Sequence, residues 1–172
     1  MAIPVKNLMT EVDNLPGKEK EFGIGDPRWV MYSLADLYSN KETATTREYS
    51  TNARDSHVQS GKADVPIKVT LPTIFDPYFT VQDFRIGMTE EDLFETYTEF
   101  GISSKRGDGS TNGMLGFGSK SAIAYTNQFT VEAIKDGIET IAVISRRPDY
   151  SIFIKIVSKR PTENGNCVKI TV

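Results

Sequence analysis

The chain of 172 residues is long enough for one domain, and 38% apolar against 25% charged residues is the composition of a globular protein. Its net charge of -3 does not favour direct nucleic-acid binding by the general surface. The single cysteine, Cys167, excludes an internal disulfide, and the single histidine, His57, argues against a zinc site built from His and Cys. No apolar run approaches the roughly 18 residues of a membrane span.

The chain begins with a polar segment and then shows helical signals. Residues 1–24 are mixed and polar, and we expect an N-terminal arm there, followed by one domain over residues 25–172. Asp26-Pro27 predicts a helix start, and apolar residues at helical spacing extend that helix to about Ser39-Asn40. A second helix is predicted from about Lys41 to Gln59, with Gly61 as its C-cap.

The hydrophobic period then changes from that of a helix to that of strands. "PIKVTLP" predicts a strand with Ile67, Val69 and Leu71 inward, and "YFTVQDF" predicts its neighbour with Phe79 and Val81 inward. "EEDLFETYTEF" predicts a short helix, because its acidic residues stand at the positive end of the helix dipole.

A glycine-rich segment and a run of strands complete the chain. Residues 101–118 hold six glycines in eighteen positions, which is typical of a lid or binding loop, and "SKSAIAYT" predicts a helix after them. Four strands follow, predicted at "QFTVEAIK", "IETIAVISRR", "YSIFIKIVSK" and "NCVKITV". Helices and strands are segregated rather than alternating, so we expect an α+β fold, a two-layer α/β sandwich.

Three polar side chains form a stripe on the second helix. Glu48, Asn52 and Asp55 are four and three residues apart, so they project from one helix face. A solvated face is the ordinary explanation of such a stripe. A second motif makes a site worth considering, because Asp83 directly follows a predicted strand and Gly87-Met88 follow it closely.

The third motif is the run "GMLGFGSKSA", in which Gly113, Gly116 and Gly118 precede Ser119, Lys120 and a predicted helix. Backbone amides in such a run can hold phosphate oxygens. Alone the signal is weak, since a flexible turn is commoner, and the run lacks the G-x-x-x-x-G-K-[ST] form of a P-loop.

Together and in this order the motifs resemble those of the GHKL, or Bergerat-fold, superfamily of gyrase B subunits, ninety-kilodalton heat-shock chaperones, histidine kinases and MutL proteins. The helix motif E-x-x-x-N-x-x-D matches Glu48 to Asp55, the first glycine box D-x-G-x-G matches Asp83 to Gly87, and the second box matches Gly113 to Gly118. The resemblance covers about residues 26 to 172. It implies ATP and Mg²⁺ as ligands, and a mixed, mostly antiparallel sheet covered by helices on one face.

The stretch from "FGISSKRG" to "NQFTV" is similar to the phage rapid-lysis A, or rIIA, family, in which a lid of this kind precedes a G-x-G-S-K-S helix. This resemblance implies the N-terminal module of a longer phage protein in the cytoplasm of the infected host, at or near the inner membrane face. We also expect a phage or host protein partner, and the GHKL resemblance implies homodimer formation.

The resemblance and the chemistry of the side chains assign roles to the motif residues. Asp83 would accept a hydrogen bond from the exocyclic amine of adenine, and a mispaired guanine would cost about 1–3 kcal/mol. Gly87 would let the backbone approach the base. Asn52 would offer its oxygen to Mg²⁺, and Glu48 would activate the attacking water. Asp55 would hold water or a backbone group near the base.

The remaining predicted nucleotide contacts are Met88, Gly113, Gly116, Gly118, Ser119, Lys120 and Asn166. Arg85 departs from the first glycine box, so its side chain either covers the base or weakens binding. Asn166 stands where relatives have a threonine that helps recognise adenine, and its amide can replace that hydroxyl in part. We expect His57 at the surface near the helix end and Cys167 buried as a small hydrophobe.

Two functions fit these residues. The first is Mg-dependent ATP binding with slow hydrolysis, ATP-gated lid closure and dimerisation. The alternative is a non-hydrolysing nucleotide-sensing or protein-interaction module on the same fold. A phosphotransferring histidine kinase is disfavoured, because His57 is the one available acceptor and lies on the same helix as the expected site.

Overall fold

The computed structural model describes residues 39–98 and 118–172. The elements in these ranges are α1 (Lys41–Gln59), β1 (Lys68–Thr70), β2 (Thr80–Gln82), α2 (Glu90–Thr98), a 3-10 turn (Gly118–Lys120), α3 (Ala122–Tyr125), β3 (Gln128–Lys135), β4 (Ile138–Arg146), β5 (Ile152–Pro161) and β6 (Cys167–Thr171). The predicted arm over residues 1–24, the first predicted helix and the glycine-rich segment up to residue 117 lie outside the described residues. None of the helices described is long and apolar enough to cross a membrane.

The six described strands form one sheet in the order β1-β2-β6-β3-β4-β5. Every pairing among them is antiparallel, so the mixed character expected of the sheet is not seen in this part of the chain. The last strand, β6, lies between β2 and β3. Its Ile170 pairs with Val81 on one side and Val131 on the other, and all three side chains are buried on the same face.

The three described helices pack against this buried face. Tyr49 of α1 and Tyr97 of α2 both contact Phe129 of β3, with ring centroids 6.1 and 5.9 Å apart. Leu93 of α2 and Ile123 of α3 are fully buried in the same cluster. Burial of each such side chain contributes about 1.5–3 kcal/mol to stability. The α+β two-layer sandwich is confirmed.

Helix α1 has the bounds that its capping residues predict. The side chain of Asn40 accepts a hydrogen bond from the Thr43 amide at 2.8 Å, and the helix ends at Gln59 with Ser60, one residue before the predicted Gly61, as its C-cap. Gly61 follows in the left-handed region at φ 71°, where its amide bonds to Val58 O. Local signals therefore determine both ends of this helix.

Strand β1 differs from its prediction. Val69 and Leu71 are 41% and 68% exposed, so the expectation that both point inward was wrong. The reason is that β1 is a three-residue strand with only one neighbour, β2, among the described strands. The inward orientation predicted for Val81 is confirmed, because β2 lies one strand further into the sheet.

Gly87, between β2 and α2, combines two constraints. Its φ of 69° lies in the left-handed region, and a Cβ atom there would overlap the carbonyl oxygen of Ile134 on β3. Backbone atoms of a central strand cannot move aside easily. The tight approach of this loop to the sheet therefore requires glycine.

Gly87→Ala should lower the free energy of unfolding by about 2–5 kcal/mol, the sum of left-handed strain and overpacking. Gly61→Ala, which has the same φ sign but open space around its Cβ, should cost about 1–2 kcal/mol. Gly165→Ala, with open space and no positive φ, should change it by less than about 0.5 kcal/mol. Urea unfolding of the three variants measures the series, and equal costs at Gly87 and Gly61 would contradict the packing constraint.

Candidate functional site

A cavity of about 360 Å³ opens between α1, α2 and the sheet. This volume is within the range of small-molecule sites in proteins. The predicted site residues that line it are Glu48, Asn52, Asp83, Gly87, Met88, Gly118 and Ser119. Chain segments far apart in sequence are thus brought to one place by the fold.

Three other predicted site residues lie elsewhere, and two lie outside the described residues. Asp55, Lys120 and Asn166 are described by the structure but do not line the cavity. Gly113 and Gly116 lie outside the described residues. The cavity therefore contains most, but not all, of the predicted set.

The face of α1 toward the cavity carries Glu48, Asn52 and Ser56 at intervals of four residues. Asp55, three residues after Asn52, is turned out of this line and is buried elsewhere. The polar stripe thus runs through Ser56 rather than Asp55. Motif matching missed Ser56, although the i, i+4 spacing of a helix would have found it.

Asp83 is held at the inner side of the cavity by backbone amides. Its Oδ1 atom accepts hydrogen bonds from Val168 N at 3.0 Å and Arg85 N at 3.4 Å. Burial raises the pKa of Asp83 above its ordinary value of 3.8, and these amide hydrogen bonds oppose the rise. Ser56 lies close enough to oppose it too, although its hydroxyl is outside hydrogen-bonding geometry with any described residue. Both amide hydrogen bonds use the same carboxylate oxygen, Oδ1.

His57 is 1% exposed, so the prediction of a surface histidine was wrong. The Phe84 amide donates to its Nε2 atom at 3.1 Å, and its Nδ1 atom lies 2.8 Å from Val65 O. The Phe84 amide can only donate a hydrogen bond, so Nε2 accepts it and carries no hydrogen. Nδ1 carries the ring hydrogen and donates it to Val65 O in a hydrogen bond. The neutral ring joins α1 to the loop that follows Asp83.

Glu48 lies directly against Gly118. A Cβ atom at Gly118 would overlap the Oε2 atom of Glu48, so glycine permits the carboxylate to approach the backbone. The Oε1 atom of Glu48 accepts a hydrogen bond from Arg47 at 2.9 Å. Arg47 is 67% exposed, which makes this a surface ion pair that can open readily.

Lys120, predicted to contact phosphate, is 2% exposed. Its ammonium group donates to Thr96 O at 2.6 Å and to the Ser119 hydroxyl at 3.4 Å. The Thr96 carbonyl belongs to the last turn of α2, where a cation is favoured by the helix dipole. In this structure Lys120 therefore joins the glycine segment to α2.

Asn166 joins two loops rather than lining the cavity. Its Oδ1 atom accepts from Asp136 N at 3.0 Å, and its Nδ2 atom donates to Ile86 O at 3.3 Å. Arg85 does not line the cavity either. Cys167 is buried as predicted, and burial raises the pKa of its thiol.

A metal site has to be judged from the donors in the cavity. Among residues 39–98 and 118–172 no group of three or more His, Cys, Asp or Glu side chains is arranged to hold a metal ion. Mg²⁺ takes few protein ligands and completes its shell with phosphate oxygens and water. The neutral amide oxygen of Asn52, beside the Glu48 carboxylate, fits that kind of coordination.

No protein-family model matches the chain, and no curated protein sequence matches it either. Solved structures do match it. The crystal structure of the ATPase region of Saccharomyces cerevisiae topoisomerase II bound to ICRF-187 (dexrazoxane) aligns with a TM-score of 0.55 at 18% identity, over 74% of this chain. A second crystal structure of that region gives a TM-score of 0.54 at 19% identity. The chain has the fold of that ATPase region.

This likeness has a defined extent. The chain spans 36% of the topoisomerase II chains that it matches, a little over a third of their length. At below 20% identity the likeness concerns the fold. The GHKL fold predicted from the motifs is thereby supported, whereas these matches do not support the resemblance to rIIA proteins.

Gly118→Ala should displace the Glu48 carboxylate from the cavity wall while leaving the fold intact. The overlapping atom is the end of a flexible side chain, so the free energy of unfolding should fall by less than about 1 kcal/mol. A crystal structure of the variant would show whether the carboxylate has moved. A cost as large as that of Gly87→Ala would mean that Gly118 is constrained by backbone instead.

Proposed function

We propose that the chain binds ATP with Mg²⁺ in this cavity and hydrolyses it slowly. The observation that carries the proposal is one cavity with a backbone-anchored carboxylate, Asp83, at its inner side and the group Glu48, Asn52 and Gly118 on its wall. The fold shared with the topoisomerase II ATPase region supports it.

The Asp83 side of the cavity suits adenine. Oδ2 of Asp83 can accept a hydrogen bond from the exocyclic amine, whereas guanine would present a carbonyl oxygen to it. The side chains of Val81, Met88 and Val168 line the same cavity and offer apolar surface to a flat base. Gly87 allows the loop to lie close to the sheet, so the cavity wall beside Met88 is firmly placed.

The Glu48 side suits the phosphates. Asn52 would hold Mg²⁺, which, when bound, neutralises charge on the phosphate oxygens. Glu48 would accept the proton of a water molecule as its oxygen attacks the γ-phosphorus and the bond from that phosphorus to the β,γ-bridging oxygen breaks. Arg47 must first release the Glu48 carboxylate, because an ion-paired carboxylate is a weaker base.

A second function, nucleotide sensing without hydrolysis, is favoured by one observation. The Glu48 carboxylate is already paired with Arg47, and a pair that persisted with nucleotide bound would leave no free base. Both functions require ATP binding. Closure of a lid over residues 101–118, dimerisation, a phage rIIA-like role, and a cytoplasmic location near the inner membrane stay predictions from sequence resemblance.

Asp83→Asn should weaken Mg-ATP binding by about 10- to 100-fold, because the amide presents a donor to the donor amine of adenine. Titration calorimetry of wild type and variant with Mg-ATP, and of wild type with Mg-GTP, measures the effect. Absence of ATP binding by wild type at millimolar concentration would refute both proposed functions. Equal affinity for ATP and GTP would refute the adenine role of Asp83.

The same variant should not be less stable than wild type at pH 7. Because the pKa of Asp83 is raised in the folded chain, the unfolded chain releases the Asp83 proton at a lower pH. The contribution of Asp83 to the free energy of unfolding therefore falls as pH rises from about 4 through the folded pKa. The amide oxygen of Asn can keep the bonds from Val168 and Arg85. The difference in unfolding free energy, wild type minus Asp83→Asn, should therefore fall over that pH interval. A rising difference would contradict the assignment.

Glu48→Gln separates hydrolysis from binding alone. If Glu48 is the base, the variant should keep ATP affinity within about twofold and lose at least about 100-fold in turnover. Phosphate release followed over hours gives the rate, and Glu42→Gln, an exposed residue on the same helix, is the matched control. Equal turnover above background in wild type and Glu48→Gln would exclude Glu48 as the base, whereas ATP binding without turnover in wild type would favour the sensing function.

A further inference from the structure

Tyr49, the residue after Glu48, makes two hydrogen bonds to one short turn. Its hydroxyl donates to Ser119 O at 3.1 Å and accepts from Ala122 N at 3.2 Å. Within the turn, Ser121 N bonds to Gly118 O at 3.2 Å. The phenol oxygen therefore connects α1 to two points of the turn, the segment from Gly118 to Ala122.

These bonds are separate from the packing of the Tyr49 ring. The ring is buried against Phe129, with centroids 6.1 Å apart, and phenylalanine would fill the same space. A buried hydroxyl is costly unless it is hydrogen-bonded, so its presence here needs partners. The partners are backbone atoms that border the cavity wall at Ser119.

The turn held by Tyr49 is the one that contacts Glu48. Gly118 begins it, and no room exists for a Cβ atom between Gly118 and the Glu48 carboxylate. Glu48 and Tyr49 are neighbours on α1. Glu48 contacts Gly118, the first residue of the turn, and Tyr49 binds backbone atoms later in the turn. A displacement of the turn relative to α1 must change the contact between Glu48 and Gly118.

We infer that Tyr49 is a positioning residue for the phosphate side of the site. Its hydroxyl holds the turn from Gly118 to Ala122 against α1, and thereby determines where Glu48 and the Gly118 backbone meet a triphosphate. The inference rests on the proposed ATP binding. It assigns to Tyr49 an effect on the triphosphate but none on the adenosine part of the ligand, which Asp83 would hold.

The test is Tyr49→Phe in the full chain, which removes the hydroxyl and keeps the ring. Affinities for Mg-ATP and for adenosine are measured by calorimetry. We expect the ATP affinity to fall about tenfold, which is the typical effect of losing one hydrogen bond, and the adenosine affinity to change by less than about twofold. A purely structural role would lower both affinities together, so an unchanged ratio of ATP to adenosine affinity overturns the inference.

The matched control is Tyr125→Phe, the same chemical change at a residue of α3 that is 54% exposed. It should alter neither affinity. Wild type that binds neither ligand would refute the proposed function itself, a result distinct from wild-type binding with an unchanged ratio in Tyr49→Phe.

A measurement on wild type covers the case in which Tyr49→Phe does not fold. Hydrogen exchange of the Ala122 amide, the donor to the Tyr49 hydroxyl, is followed with a non-hydrolysable ATP analogue and with adenosine. We expect exchange to slow with the analogue and to stay unchanged with adenosine. Equal exchange with both ligands would overturn the positioning role.

Discussion

The site depends on a reciprocal connection between the end of β2 and strand β6. Asp83 N donates to Val168 O at 2.9 Å, and Val168 N donates back to the Asp83 carboxylate at 3.0 Å. Regular pairing of the two strands ends one residue earlier, at Gln82 and Lys169. A side-chain oxygen thus takes the place of the next backbone acceptor, so Val168 stays satisfied while the chain leaves the sheet. The cavity lies where that departure occurs.

The loop after Asp83 is held from two sides by residues that are outside the cavity wall. His57 accepts from the Phe84 amide, and Asn166 donates to Ile86 O. Gly87 then returns the chain to the sheet against Ile134. Burial raises the pKa of Asp83, and the hydrogen bonds that hold the loop after it are made within the protein, without a ligand.

Much of the fold follows from local sequence, whereas the direction of individual side chains does not. The N-cap Asn40 and the left-handed Gly61 delimit α1. The apolar segments near the end of the chain predict β3 to β6. These signals act within a few residues. The position of His57 depends on acceptors and donors at Val65 and Phe84, and that of Lys120 on a carbonyl at Thr96. Motif spacing alone contains no information on these partners. The exposure of Val69 likewise depends on the strand order, which places β1 at the edge.

The ion pair of Glu48 with Arg47 affects hydrolysis more than nucleotide binding in the proposed function. Because Arg47 is largely exposed, the ion pair contributes about 0–1 kcal/mol to stability. The Glu48 carboxylate therefore competes only weakly with a phosphate for the Arg47 guanidinium. Under the proposed function, a phosphate that attracted Arg47 would also free the Glu48 carboxylate next to it. The contact of Glu48 with Gly118 is different in kind, since it depends on the absence of a Cβ atom at Gly118 and not on charge. Under the proposed function, the position of the freed carboxylate therefore depends on the turn at Gly118 as well as on Arg47.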